Sequence, residues 1–407
     1  MISSARLNFR VLRVPYALWS CRPHFFKAAS TKVDKEKMQR RFERLVSLLR
    51  RVERPHLESF ECFGTMHTLP LRAKDAKIEE CSDETLAYFS GFFDGDGCVT
   101  MASKSGRIRL TVGQSVRGAD ILVRLRSAFG GGICRHSDGC GLQRPRLQWW
   151  VAGKASKRAA ALLAKNSYMK QAQLQIASHG DVVTEERIQV AQQMEDLKAR
   201  NHVPENFAHM SWPYFAGFFD AEGCITVKSY SCSLVLAVAQ VNPFVLKLLH
   251  RFLHEQGLEG WKLRCYATPM GDVATLSCFK LETCKSTLRQ LLDCGLDLKR
   301  EQAHIALRLS RDNHCKIRES LFDLGGQQSR YRSLDHRGMQ RAREIHLMHT
   351  RLQTCRNKER SEEMEIQLRQ LVRDHQAQHL QSAGSRIGAD IRRLLREGAW
   401  IKPLEAR

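Results

Sequence analysis

The sequence predicts an α+β protein made by tandem duplication, each half running αββαββα, with helical extensions at both ends. Three observations predict it. Tyr88–Cys98 reads YFSGFFDGDGC and Tyr214–Cys224 reads YFAGFFDAEGC, with eight of eleven positions identical across an offset of 126 residues. That offset is too long for a solenoid repeat and fits a duplicated domain. The same order of strand and helix periodicities follows each motif. Outside the repeats, 34–54 near the start and 337–381 and 387–395 in the tail carry helix-period patterns.

Composition bounds the function. The chain has 407 residues and 43% hydrophobic content, enough for two cores. No run of about 18 apolar residues suggests a membrane span. Formal charge is +22, and a Lys/Arg surplus of that size favours a polyanionic partner, most often nucleic acid. A basic organellar or ribosome-associated protein would share it. Fourteen cysteines occur without a CxxC pair. Cys98 and Cys224 hold equivalent positions, which suggests packing rather than disulfides. Cys134, His136 and Cys140 could supply three zinc ligands, but no fourth is evident and a chance loop cluster explains them better.

In chain order, residues 1–33 carry Arg6, Arg10, Arg13, Arg22, Lys27 and Lys32 before the first acid, Asp34. This suits an organellar transit peptide, mitochondrial in preference to plastid; a basic nucleic-acid-binding arm is the alternative. An N-terminal extension, 34–83, opens with a helix over 34–54, spaced by Met38, Phe42, Leu45, Leu48 and Leu49, and then turns irregular to Ile78. The first repeat domain spans 84–180. Its motif helix starts at Asp83 as N-cap. Strands 99–103 and 107–114 follow, then helix 119–129 closed by Gly130–Gly132. Strands 133–136 and 147–151 precede helices at 157–163 and 169–177. A helical linker lies in 181–211. The second repeat domain, 212–312, gives helix 212–222, strands 225–230 and 234–241, helix 243–255, strands 261–266 and 273–279, and helices near 285–292 and 300–309. The tail, 313–407, reads as one long polar helix over 337–381 and a shorter one over 387–395.

The motifs carry the chemistry. Ala87, Gly91 and Gly95 share one helix face, as do Pro213, Gly217 and Ala221. Small residues at this spacing let two helix backbones approach. The flanking phenylalanines would pack into the core of their own half. The two helices are therefore expected to cross at a pseudo-twofold axis. Each ends in an acid and a glycine, Asp96–Gly97 and Glu222–Gly223, and the glycine suits a left-handed cap. An acid at a helix C-terminus is unfavourable, and pseudo-symmetry brings two together. A divalent cation would offset both repulsions, and carboxylate oxygens suit Mg²⁺ or a similar hard ion. Surface acids at a turn are the bland alternative. Asp94 and Asp220 point elsewhere and are expected to bond nearby backbone.

These motifs resemble the two copies of the signature of the LAGLIDADG homing endonucleases, in the single-chain, two-repeat branch. Gln114 and Gln240, each 18 residues after its acid, and Lys170-x-x-Gln173 and Lys299-x-x-Gln302 extend the resemblance over roughly 84–312. It implies a monomer in which two antiparallel sheets form a saddle over double-stranded DNA. It implies that Asp96 and Glu222 bind Mg²⁺ or a similar divalent metal between two catalytic sites. Gln114 and Gln240 would take the polar role around the metal-bound water, and Lys154 the basic role in the first half. The matching position in the second half is Thr283, with Lys280 and Lys285 nearby, so one site would be less well equipped, with strand-specific nicking as one consequence. Arg107, Arg109, Lys228, Lys262 and Arg264 would contact DNA from the sheets, unless they are merely solvated. The implied activity is site-specific cleavage of duplex DNA. An organellar intron maturase acting in RNA splicing uses the same scaffold, and a catalytically silent DNA-binding protein is a third reading.

Overall fold

The computed structural model describes residues 32–102, 105–182, 186–199, 210–228, 232–268, 271–324 and 334–403. The basic segment 1–33 therefore lies outside the described residues, but for its last two positions.

Two four-stranded antiparallel sheets define the centre. The N-terminal extension forms α1 (Lys32–Arg50), β1 (Val52–Glu53) and a hairpin of β2 (Ser59–Cys62) and β3 (Thr65–Thr68). The first half then runs α2 (Asp83–Asp96), β4 (Gly97–Met101), β5 (Ile108–Ser115), α3 (Ala119–Phe129), β6 (Gly132–Ser137), β7 (Arg146–Ala152), α4 (Lys154–Ala164) and α5 (Gln171–His179). Linker helix α6 (Arg187–Ala199) follows. The second half repeats the order with α7 (Trp212–Glu222), β8 (Gly223–Val227), β9 (Leu234–Gln240), α8 (Pro243–Glu255), β10 (Trp261–Thr268), β11 (Gly271–Cys278), α9 (Leu281–Asp293) and α10 (Arg300–Leu307). The strand orders β4-β5-β7-β6 and β8-β9-β11-β10 match. The fold is thus α+β with two equivalent antiparallel sheets.

Local chemistry starts and stops the motif helices. Ser82, one residue before the expected cap, accepts from the Thr85 amide at 3.2 Å. Ser211 does the same for Tyr214 at 3.4 Å, with Pro213 in the first turn. At the other end the expected left-handed glycine cap is absent. Gly97 and Gly223 have φ of −77° and −70° and lead straight into strands β4 and β8. The glycine is required for space instead: a Cβ on Gly97 would stand 2.4 Å from the Phe93 ring, and one on Gly223 2.4 Å from the Phe219 carbonyl oxygen.

α2 and α7 cross backbone against backbone. A Cβ on Gly91 would lie 2.0 Å from the Tyr214 carbonyl oxygen, and one on Gly217 1.9 Å from that of Tyr88. Gly95 faces Ala221 across the same contact. Phe89, Phe92, Phe93, Phe215, Phe218 and Phe219 are at most 1% exposed and carry a continuous core through both halves. Each sheet sets one face on that core. Ile108, Leu110 and Val112 of β5 are buried, and Arg109 between them is exposed. Leu147, Trp149 and Val151 of β7 alternate in the same way with Arg146, Gln148 and Trp150.

The terminal extensions differ from the expected pattern. The tail beyond α11 (His314–Leu324) is a helical hairpin of α12 (His336–Thr354) and α13 (Lys358–Arg396), not one long helix followed by a short one. Asn357 makes the break, accepting from the Arg360 amide at 3.1 Å as the N-cap of α13. Its polar neighbours give no periodicity that would reveal it. The C-terminal turns of α13 pack Ile387, Ile391 and Leu394 against Leu49 and Val52 in a separate small core. β12 (Trp400–Ile401) pairs with β1. The two ends of the chain thus close on each other, and on Leu142 of the first half. No described helix is long and apolar enough to cross a membrane.

The helix crossing has a direct consequence. Gly91→Ala or Gly217→Ala sets a methyl group against a carbonyl oxygen that cannot rotate away. Each is expected to cost at least about 3 kcal/mol of unfolding free energy in urea titration. A loss under about 1 kcal/mol, the propensity scale alone, would show that the crossing relaxes freely.

Candidate active site at the motif-helix ends

The crossing delivers Asp96 and Glu222 to one place at the core's edge. Gln114 on β5 donates from Nε2 to Asp96 Oδ2 at 2.6 Å. Gln240 on β9 donates to Glu222 Oε1 at 2.9 Å. The two pairs repeat one arrangement, each bridging 18 residues from helix end to neighbouring strand. Burial pushes the Asp96 carboxyl above the usual carboxylate range, against the pull of Lys299, Lys170, Gln114 and Arg146. Glu222 is raised first by burial and then by the negative charge of Asp96, which Lys170, Lys299 and Gln240 oppose. Glu222 therefore lies in the field of Asp96.

Two lysines oppose the negative charge of both acids. Lys170 Nζ donates to the carbonyls of Phe93 at 2.9 Å and Gly95 at 3.2 Å, and to that of Asp94. Lys299 Nζ donates to the carbonyl of Asp220. Each ammonium sits on the negative C-terminal end of a motif helix, where helix carbonyls lack partners. Burial pushes both lysines below the usual ammonium range; Asp94, Asp96 and Glu222 restrain Lys170, while Asp220, Asp96 and Glu222 restrain Lys299. The sequence marks these lysines as a recurring feature but gives them no role. Their function is visible only once the chain returns 74 residues after Asp96 and 77 after Glu222.

Asp94 and Asp220 anchor that return. Asp94 accepts from the amides of Tyr168, Met169 and Lys170 at 2.7, 3.0 and 3.1 Å and from the Ser167 hydroxyl. Asp220 accepts from the amides of Asp297 and Lys299 at 2.6 and 2.8 Å. Both carboxylates thus bond backbone that leads into α5 and α10 and carries Lys170 and Lys299. Each also takes a tyrosine from the opposite half: Tyr88 donates to Asp220 at 2.7 Å and Tyr214 to Asp94 at 2.8 Å. Burial and the acid beside it raise both phenols well above their usual range. These tyrosines open the repeated motif, and their identity in both copies was the available signal. Arg124 adds an ion pair between the halves, 2.9 Å from Asp297.

Other residues singled out from the sequence fall elsewhere. Lys154 is exposed at the first turn of α4, whereas the first-half lysine whose charge acts on Asp96 and Glu222 is Lys170. Thr283 is buried and donates to the Glu259 carbonyl at 2.8 Å, and Lys285 donates to the Leu309 carbonyl at 3.0 Å. Lys170 and Lys299 hold corresponding places at the two motif-helix ends. Arg107 and Arg109 are exposed, and the Arg109 guanidinium lies 5.1 Å from the Trp150 ring centre. Lys262 and Arg264 are exposed on β10, while Lys228 is half-buried with its ammonium 4.6 Å from the Phe279 ring centre. Arg146 on β7, unremarked in the sequence, is exposed and reaches the field of Asp96. Cys140 donates to the Arg50 carbonyl at 2.7 Å, and no group of three or more His, Cys, Asp or Glu suited to a metal occurs among the described residues.

The donor set fits a hard divalent cation held mainly by non-protein oxygen. It offers two carboxylates, from Asp96 and Glu222, with Glu222 in the field of Asp96. Water and substrate oxygens would have to complete the shell.

No family model and no curated protein matches this chain by sequence. Among solved structures it is similar to the LAGLIDADG homing endonuclease I-GzeII in complex with its DNA target. Identity is 16%, the TM-score is 0.43, and 59% of this chain and 98% of that one are covered. It is similar to I-SmaMI bound to uncleaved DNA with calcium ions, at 13% identity and TM-score 0.40 over 60% and 98% of the two chains. It is also similar to the LAGLIDADG meganuclease I-AabMI bound to uncleaved DNA, at 15% identity and TM-score 0.40 over 57% and 96%.

The tyrosine cross-link gives a measurable expectation. Tyr88→Phe or Tyr214→Phe leaves a buried carboxylate short of one donor, which costs about 1–3 kcal/mol in urea unfolding. A double variant much less destabilised than the sum would show that the two bonds act as one unit.

Proposed function

We propose that this protein is a site-specific, metal-dependent DNA endonuclease that hydrolyses phosphodiesters in duplex DNA. One observation carries the reading. Two inward acids, Asp96 and Glu222, come from equivalent helix ends, each bonded to a strand glutamine and each near a lysine that caps a helix. A structural scaffold has no need of two repelling carboxylates at adjacent helix C-termini. Hydrolysis of both strands of a duplex has use for the arrangement, because it provides two sets of the same groups about one axis.

Asp96 and Glu222 would hold the divalent metal, Mg²⁺ or a similar ion. When bound, such an ion supplies activation of water and neutralisation of phosphoryl oxygens. The chain supplies the rest. Each glutamine spends an N–H on its carboxylate, and its Oε1 would accept from a water beside the acid and orient it. Lys170 and Lys299, fixed by helix carbonyls, offer positive charge where a pentavalent phosphorus would gather negative charge. Arg109, Arg146, Lys262 and Arg264, exposed on the sheets, would meet the duplex on either side, in keeping with the chain's +22 charge.

The reading is tested with purified full-length protein, Mg²⁺ and a library of long DNA duplexes. Wild type is expected to cut a subset of them at defined positions, and a chelator to stop cutting while DNA stays bound. Asp96→Asn with Glu222→Gln should lower cutting by more than the roughly 100-fold typical of losing a group that only supports a metal ligand. Equal cutting by that variant, or none by wild type, would overturn the mechanism. Tight binding of intron RNA with no DNA cleavage would replace it with the splicing role.

A further inference from the structure

We infer that Arg54, Arg117, Arg144 and Arg393 form a second phosphate-gripping surface for duplex DNA, continuous with the site through Arg146, by which the terminal extensions lengthen the footprint beyond the two sheets. The inference rests on the duplex-DNA reading above.

The geometry gathers these residues from four separate parts of the chain. Ser115 at the end of β5 pairs with Arg146 at the start of β7. The next amide, Val116, donates to the Pro145 carbonyl at 2.9 Å, so Arg117 and Arg144 flank one crossing of the chain. Pro145 also lines a cavity of about 160 Å³ together with Arg54, Leu394, Glu397 and Ala399, which brings in the C-terminal end of α13. Arg54 is fixed there by a bond from Nε to the Gly141 carbonyl at 3.2 Å. Arg393 sits one residue before Leu394, on the exposed side of α13. Arg146 links the group to the centre, since its charge is felt by Asp96.

The balance of charge is what makes the cluster functional. Arg393 is engaged by Glu397 at 2.7 Å and Asp390 at 3.4 Å, and Glu397 also acts on Arg54. Arg117 is exposed, Arg144 is half-buried, and neither has an acidic partner among the described residues. Burial and then the charges of Arg117, Arg54 and Arg393 push the Arg144 guanidinium below its usual range. Four guanidiniums thus share two acids, Glu397 and Asp390, at a seam between two packed bodies, and those of Arg117 and Arg144 have neither. Folding alone gives no reason to crowd them, because like charges oppose the docking of the extension. An anion laid across the seam offers one. The Arg146, Gln148 and Trp150 face of β7 runs away from the same point, so a strand of regularly spaced phosphates can follow both surfaces. A single small anion would engage only part of the group.

The test uses full-length protein in chelator, so that binding is read without cleavage. Fluorescence anisotropy against salt is measured with a mixed-sequence DNA duplex long enough to cross the sheets and the extension, with a short duplex covering the sheets alone, and with duplex RNA of the longer length. Arg117→Gln with Arg144→Gln is expected to lower the slope of log K against log salt by about 2 on the long duplex. It should leave the short duplex unaffected. Arg117→Lys with Arg144→Lys keeps the charge and should keep the slope; loss there too would mean a folding defect and overturn the inference. An unchanged slope in the glutamine variant, or a loss confined to RNA, would also overturn it. Arg109→Gln with Arg264→Gln on the sheets separates the two readings. If that variant loses DNA binding and the cluster variant does not, only the second surface fails. If wild type binds no duplex DNA, both readings fall together.

Discussion

Everything central to this protein depends on two helices touching backbone to backbone. Gly91 and Gly217 each stand where any side chain would strike a carbonyl oxygen of the other helix. That proximity is unusual in water, where helix axes are commonly held 8–10 Å apart by the residues between them. It fixes how the halves meet, and therefore where their last residues lie. Asp96 and Glu222 are close because Gly91 and Gly217 are small. The phenylalanines around the small stripe prevent sliding, since each is locked into the core of its own half.

The helix ends then pose an electrostatic problem that the protein only partly resolves. Helix C-termini and carboxylates are both negative, and here two of each converge. Lys170 and Lys299 neutralise the helix ends, and Gln114 and Gln240 hold the acids, yet burial still raises both carboxyls. In the proposed function a cation and the oxygens of a phosphate would answer the remaining imbalance. Asp94 and Asp220 serve a different end. By accepting from the backbone before α5 and α10, they fix the two lysines, and through Tyr214 and Tyr88 they tie each lysine to the opposite half. Positioning and dimer-like association are thus achieved by the same carboxylates.

The extensions are not loose appendages in this arrangement. α1 and the end of α13 form a small core of their own and share it with Leu142. The first half therefore carries a rigid basic flank, while the lysine-bearing centre stays nearly symmetric. Duplication sets a matching acid, glutamine and lysine at each motif-helix end, while α1 and the end of α13 pack on the first half.

Much of this was legible in the sequence, and the division follows interaction range. Helix and strand order came from local periodicity, so α3, α7 and α8 were read with their boundaries. The small faces, the two acids and their glutamines were legible because duplication wrote each of them twice. Features without a local signature were not. The β2–β3 hairpin lay in a stretch without clear alternation, and the hairpin of α12 and α13 hid its turn among polar residues. Gly97 and Gly223 were recognised as necessary, but the reason was a phenylalanine ring and carbonyl four residues back, not a left-handed turn. Lys170, Lys299 and the arginine seam belong to the last class. Their roles depend on contacts between residues far apart in the chain, and a charge reveals its partner only when tertiary structure brings the two into one low-dielectric place.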